Sequence, residues 1–146
     1  MSDSFSRPSR DETLMITARV WSHRGTCSRL QVGCVISKGG RILVQGYNGV
    51  PAGLPHCVHT DNEPCTRAEH AERNAIAWAA RNGVALKGAE MHITHMPCLA
   101  CAMGVINAGI HKVTYEEPYR LLDGVDLLVE AGIEVRGWID FEPKGV

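Results

Sequence analysis

HAERNAIAWAARNGVALKGAEMHITHMPCLAC, residues 70–101, reads as one strand between two helices. Alanines at 71, 75 and 79 suit a helix packed closely on a sheet, and Asn82-Gly83 ends it, giving a helix from about residue 69 to 82. EMHITHM is a strand, and CLACAMGVINAG from Cys98 is a second, shorter helix. A helix of about 12 residues at about 1.5 Å each carries the chain about 18 Å from its start, and a strand at about 3.3 Å per residue returns it about 20 Å. Cys98 therefore comes back to the neighbourhood of His70, with both helix N-termini aimed at one spot.

The flanking segments continue the alternation. Residues 1–9 read as a loose tail. DETLMITARVWSHR (11–24) is a helix with acids at its front and bases at its back. QVGCVISKGGRILVQGYNG (31–49) is a hairpin turned at Gly39-Gly40. Residues 48–68 form a long irregular loop, which in a compact domain is functional or pinned by something. HKVTYEE is another strand, and YRLLDGVDLLVEAGIEVRGW gives a helix, a stop at Gly132 and a last strand. The expectation is one α/β layered domain spanning 1–146, with partly parallel strands.

Composition narrows the function. The chain has 146 residues, of which 45% are hydrophobic and 21% charged, as in folded globular proteins. A net charge of −1 without a dense basic run offers no footprint for nucleic acid. The polar N-terminus and the lack of an 18-residue apolar run give no sign of a membrane, and a cytoplasmic location is expected. In a reducing compartment, cysteines at 27, 34, 57, 65, 98 and 101 point to metal or catalytic roles rather than disulfides.

His70-Ala71-Glu72 alone is a weak signal. Pro97-Cys98-Leu99-Ala100-Cys101 is stronger, because C-x-x-C at a helix start sets two thiolates about one turn apart where the dipole favours deprotonation. A redox dithiol and a buried structural pair are its rivals. The return of Cys98 to His70 separates these readings, because it gathers three zinc ligands and leaves the fourth tetrahedral position for water. Residues two apart on a helix diverge by about 200°, so His70 and Glu72 share a site only at the helix end. Thr66-x-x-Glu69 spells a capping box that would start the helix near residue 67. A shared site requires a start at 69–71 instead, with the metal just beyond the N-terminus. Glu72 can then take a proton from the metal's water and hand it to a ring nitrogen and a leaving amine. H-x-E with P-C-x-x-C is the zinc deaminase signature, whose Glu is acid/base and not a ligand.

TCSRLQVGCVIS, GYNGVPAGLPHC, CTRAEHAERNAI, ITHMPCLACAMGVINAGI and EPYRLLDGVDLLVEAGIEV, in this order, resemble the deoxycytidylate (dCMP) deaminases of bacteria and phages, within the cytidine deaminase superfamily. The resemblance spans about residues 12–137. It implies a three-layer α/β/α fold with a mixed five-stranded sheet. It also implies hydrolysis of dCMP to dUMP and ammonia, the dUMP supplying thymidylate synthesis. His70, Cys98 and Cys101 would hold the catalytic Zn2+, and Glu72 would shuttle protons. Asn48 of GYNG would contact the deoxyribose and base region, and the Ala71 N–H the cytosine carbonyl. Arg29, Tyr119 and Arg120 are the phosphate candidates. A second, structural Zn2+ would use Cys27, Cys57 and Cys65, with His59 as fourth ligand and His56 its alternative. Relatives often carry a further cysteine where this chain has histidine and asparagine. A sulfur-rich tetrahedral clamp would offset the ordering entropy of the long loop.

Cys34 falls in a strand, where core packing is expected, and Trp21 and Trp78 are expected in core or subunit contacts. His95 stands near the pocket as a lone strand-end histidine. The resemblance further implies a homo-oligomer, with a hexamer favoured, and regulation by dCTP (with Mg2+) and dTTP. Same-fold rivals act on free nucleosides, a tRNA adenosine, guanine or a riboflavin precursor; GYNG and the lack of a basic patch count against them. A non-catalytic zinc or redox module leaves Glu72 without a purpose. The substrate could also be a 5-substituted dCMP.

Overall fold

The computed structural model describes residues 6–60 and 63–138. Of the expected tail, residues 1–5 lie outside that range, whereas Ser9 caps the first helix. Its hydroxyl accepts the Glu12 N–H while the Glu12 carboxylate accepts the Ser9 N–H, a reciprocal box that starts α1 at Arg10.

The elements run α1 (Arg10–Ser22), β1 (Gly33–Lys38), β2 (Arg41–Tyr47), α2 (Ala71–Arg81), β3 (Glu90–His95), α3 (Leu99–Asn107), β4 (Lys112–Glu117), α4 (Asp123–Glu130) and β5 (Glu134–Gly137). Gly39 and Gly40 take positive φ in the β1–β2 hairpin, as its two-residue turn requires. The five strands form one sheet in the order β2-β1-β3-β4-β5. β1 is antiparallel to both β2 and β3, and β3, β4 and β5 are parallel. The parallel half follows from the helices α3 and α4, which carry the chain back between strands.

Alternation along the strands sorts two cores. Cys34 and Ile36 of β1, Met91 and Ile93 of β3 and Val113 of β4 face α2, α3 and α4 and pack with Ala71, Ala75, Ala79, Val105 and Leu128. Val35, on the opposite face, packs with Leu14, Met15 and Ala18 of α1 and with Trp138. The architecture is therefore the expected three-layer α/β/α sandwich around a mixed five-stranded sheet. Cys34 is fully buried, as expected of a packing residue. Trp21 stacks on Tyr47 at 6.2 Å. Trp78 is 51% exposed and lies outside the core, because its side of α2 faces away from the sheet.

Candidate active site

α2 begins where a shared site requires. His70 is its N-cap, with extended backbone, and Ala71 is the first helical residue. The Thr66–Glu69 box does not form. Glu69 pairs through its backbone with Gly49, and its carboxylate accepts the His70 N–H and faces Arg73. Cys98 is likewise the N-cap of α3. Two helix N-termini thus converge, as the helix and strand lengths predicted.

His70 Nδ1 lies 3.5 Å from Cys98 Sγ and 3.3 Å from Cys101 Sγ. A tetrahedral zinc with ordinary Zn–N and Zn–S bonds sets its nitrogen and sulfur ligands about 3.6 Å apart, close to both separations, and the three donor atoms all lie within 4.8 Å of one another. Hydrogen bonds from Cys101 and His70 lower the Cys98 thiol to about 3, which favours the thiolate form a metal requires. The same contact with Cys98, together with burial, pushes Cys101 up. The hydrogen bond with Cys98 raises His70.

Glu72 sits in the first turn of α2 and is buried. Burial pushes its carboxyl up to about 7, against the pull of a backbone hydrogen bond and of His70. A carboxyl poised near neutrality can both accept and return a proton.

A cavity of about 220 Å³ opens beside these groups. Asn48, Ala71, Arg29 and Tyr119 line it, as does His95, whereas Arg120 does not. Arg120 is exposed in the turn after β4. Asn48 is already engaged. Its Oδ1 accepts the Val32 N–H at 2.8 Å and its Nδ2 donates to the Leu30 carbonyl at 2.6 Å, so this side chain shapes the wall that carries Arg29.

A second cluster adjoins the same cavity. Donor atoms of Cys27, Cys57, His59 and Cys65 all lie within 4.8 Å of one another. His59 Nε2 is 3.1 Å from Cys27 Sγ, while His56 is outside the group. Cys65 is opposed by desolvation, yet the N–H groups of Ala68 and Arg67 bring it down to about 6; the Ala68 N–H donates to its sulfur at 3.3 Å. Cys27 and Cys65 also line the active-site cavity, so the loop cluster forms part of its wall.

Two positions escaped the sequence reading. A Cβ on Gly46 of β2 would come within 2.4 Å of the Ala71 carbonyl oxygen, and one on Gly124 of α4 within 2.3 Å of the Pro97 carbonyl oxygen. Both glycines let backbone approach the turns that carry ligands. Their signal in the sequence is only a glycine inside a strand and another inside a helix.

Residues 8–117 match the cytidine and deoxycytidylate deaminase zinc-binding region. The chain belongs to this deaminase family. It is 37% identical over 134 residues to ComE operon protein 2 of Bacillus subtilis, covering 88% of this chain and 71% of that protein. It is 35% identical over 167 residues to the deoxycytidylate deaminase of Enterobacteria phage T4, covering 84% and 86% of the two chains. The crystal structure of the dCMP deaminase of cyanophage S-TIM5, in complex with dCMP and dUMP, superposes with a TM-score of 0.84 at 36% identity over 90% of this chain and 98% of that one. The family's zinc-binding region therefore includes both the His70-x-Glu72 and the Cys98-x-x-Cys101 segments. Among the described residues no helix is long and apolar enough to cross a membrane.

Proposed function

We propose that the protein hydrolyses dCMP to dUMP and ammonia, with Glu72 as its proton-transfer residue and His70, Cys98 and Cys101 as zinc ligands. The observation that carries this reading is a buried carboxyl, held near 7, on the same helix end as a His–Cys–Cys donor set of zinc dimensions. Kinship with deoxycytidylate deaminases selects the nucleotide.

Zinc held by the three donors supplies Lewis acidity, bringing the pKa of a water to near neutral. This chain's own groups do the remainder. The Ala71 N–H, at the start of α2, donates to the cytosine O2 and orients the ring. Glu72 accepts one proton from the attacking water and passes it to N3, so that C4 becomes electrophilic and bonds the hydroxide. It then takes the proton of the new C4 hydroxyl and delivers it to the amine, whose C4–N bond breaks as C4=O forms. One water is consumed and one ammonia leaves. Arg29 and Tyr119, on the cavity wall, meet the 5′-phosphate, with Arg120, exposed beside Tyr119, the further candidate for that role. Asn48 positions the Leu30–Val32 wall as well as bordering the sugar.

The second cluster is read as a structural zinc site of Cys27, Cys57, His59 and Cys65. Three sulfurs and one imidazole form a closed shell, the usual form for a structural ion. Exposed apolar side chains on α2, α3 and α4, namely Trp78, Met103 and Val129, support subunit contacts and so a homo-oligomer, with a hexamer the form the family suggests. dCTP (with Mg2+) and dTTP as effectors rest on the family resemblance alone, and a cytoplasmic location on the polar N-terminus and the lack of a long apolar run.

The test is to incubate the zinc-loaded protein with dCMP, dCTP, deoxycytidine, cytidine and cytosine and to measure ammonia. Turnover is expected to be greatest with dCMP. Preference for a base or nucleoside, or no turnover of any cytosine compound, would overturn the assignment.

A further inference from the structure

The pocket histidine at the end of β3 has one ring nitrogen whose role is settled by its neighbours. Thr94 Oγ1 accepts the Gly33 N–H at 3.1 Å and lies 2.8 Å from His95 Nδ1. Thr94 is only 4% exposed, so its single hydroxyl proton needs an acceptor, and Nδ1 lies at hydrogen-bond distance to serve as one. With the hydroxyl donating to Nδ1, that nitrogen is the unprotonated one and the ring's proton sits on Nε2. Burial also lowers the ring's basicity, against the pull of Glu117 and Glu116, and favours the same neutral form. β3 and its Thr94 anchor thus fix a neutral N–H donor in the wall of the active-site cavity.

The base orientation required by the proposed reaction says what this donor can meet. N3 and O2 face the start of α2, where Glu72 and the Ala71 N–H lie, and C4 faces the Cys98–Cys101 turn. The C5–C6 edge is left to the remaining wall of the cavity, whose lining includes His95 at the end of β3 and Tyr119 after β4. In an anti nucleotide the 5′ oxygen lies beside C6, so the phosphate leaves along that wall. A phosphate oxygen carries no proton and accepts only. The other tautomer of His95 would present a lone pair to it and repel it.

We propose that His95 is a substrate-contacting residue whose Nε2–H donates a hydrogen bond to the 5′-phosphate, and that Thr94 positions it by fixing the ring's tautomer. The pair selects nucleotides over nucleosides. This rests on the reading of the protein as a deoxycytidylate deaminase.

The experiment compares kcat/KM for dCMP and deoxycytidine, and dUMP affinity by calorimetry, in the zinc-loaded wild type and in His95→Phe, His95→Gln, Thr94→Val and Thr94→Ser. Loss of a hydrogen bond to a charged group predicts about a 10- to 100-fold fall in kcat/KM for dCMP and in dUMP affinity with His95→Phe. Deoxycytidine turnover is expected to stay within about twofold, a contrast that a purely structural role would not produce. His95→Gln, whose amide N–H reaches the place of Nε2–H, should recover most of the loss. Thr94→Val should lose dCMP preference and Thr94→Ser keep it. Equal losses on dCMP and deoxycytidine, or unchanged dUMP affinity in His95→Phe, overturn the inference. A wild type that does not prefer dCMP overturns the deaminase assignment itself, which is a separate outcome.

Discussion

Cys101 Sγ lies 3.3 Å from His70 Nδ1 although 31 positions separate the two residues. Everything between them serves that approach. α2 carries the chain away along one face of the sheet, β3 brings it back through the sheet centre, and α3 starts where α2 started. The site lies at the ends of elements because only there can His70 leave helical geometry and aim at the cysteines while Glu72, two residues on, stays in the first turn.

Glu72 is the group whose loss separates chemistry from metal binding. Glu72→Gln keeps the shape of the side chain but cannot accept a proton. The expected result is a fall in kcat of about 10³-fold or more, with zinc content and dUMP affinity close to wild type. Turnover within tenfold of wild type would remove Glu72 from the mechanism. Loss of the metal in this variant would make it a structural residue instead.

Close approach of α4 to the ligand turn gives a second test. The backbone of Pro97 and Cys98 lies against Gly124, where an added Cβ would sit 2.3 Å from the Pro97 carbonyl oxygen and 2.8 Å from the Cys98 carbonyl carbon. Neither contact can be relieved by a side-chain rotation, so Gly124→Ala must move the helix or the turn. We expect a stability loss of about 1–3 kcal/mol and weaker zinc retention under chelator competition. Gly104→Ala, inside the neighbouring α3, meets nothing closer than 3.7 Å and should leave zinc retention unchanged while raising stability by up to about 1 kcal/mol, alanine being the better helix former.

The contrast between Gly124 and His70 shows which parts of the site could be read from sequence. His70, Cys98 and Cys101 were legible because rise per residue fixes how far a helix and a strand travel, and equal lengths return the chain to its start. The start of α2 at Ala71 was legible because His70 and Glu72 cannot otherwise share a site. Gly124 and Gly46 matter for what would collide with them, which depends on the packing of distant segments. The double bonding of Asn48 to Leu30 and Val32, and of Thr94 to Gly33 and His95, has no periodicity to betray it. Arg120, adjacent to Tyr119 in sequence, is exposed and outside the lining of the cavity, a separation of neighbours that no sequence pattern announces.

The loop cluster makes a prediction that is independent of catalysis. With both sites filled, the protein should hold two zinc ions per chain, and Cys65→Ala should reduce this to one. Because the four donors tie the segment before β1 to the long loop, the variant should lose about 3 kcal/mol or more of stability. Since Cys27 and Cys65 also border the cavity, KM for dCMP should rise more than kcat falls. Elemental analysis by mass spectrometry reads the metal count, and one zinc in the wild type would refute the second site.

His92 gives the protein a pH dependence with a definite sign. The side chain is fully buried between α1 and the sheet, its Nε2 is 2.8 Å from Asp11 Oδ1, and its Nδ1 has no partner among the described residues. Burial lowers its pKa below the ordinary 6.5, against the pull of Asp11 and Glu90, and Lys112 lowers it further. Well above pH 6.5 neither the folded nor the unfolded chain protonates this ring, and its contribution to stability is intact. As the pH falls from about 6.5 toward the lowered folded value, the unfolded chain takes up a proton that the folded one resists, so stability declines through that window. Arg136, 3.8 Å from Asp11 Oδ2, competes for the same carboxylate and leaves less of it to stabilise a charged ring. Chemical denaturation at intervals from about pH 8 to about pH 5 should show the midpoint falling below about pH 6.5. His92→Gln should flatten the slope in that window even if it lowers stability throughout, and an unchanged slope would place the pH dependence in other groups.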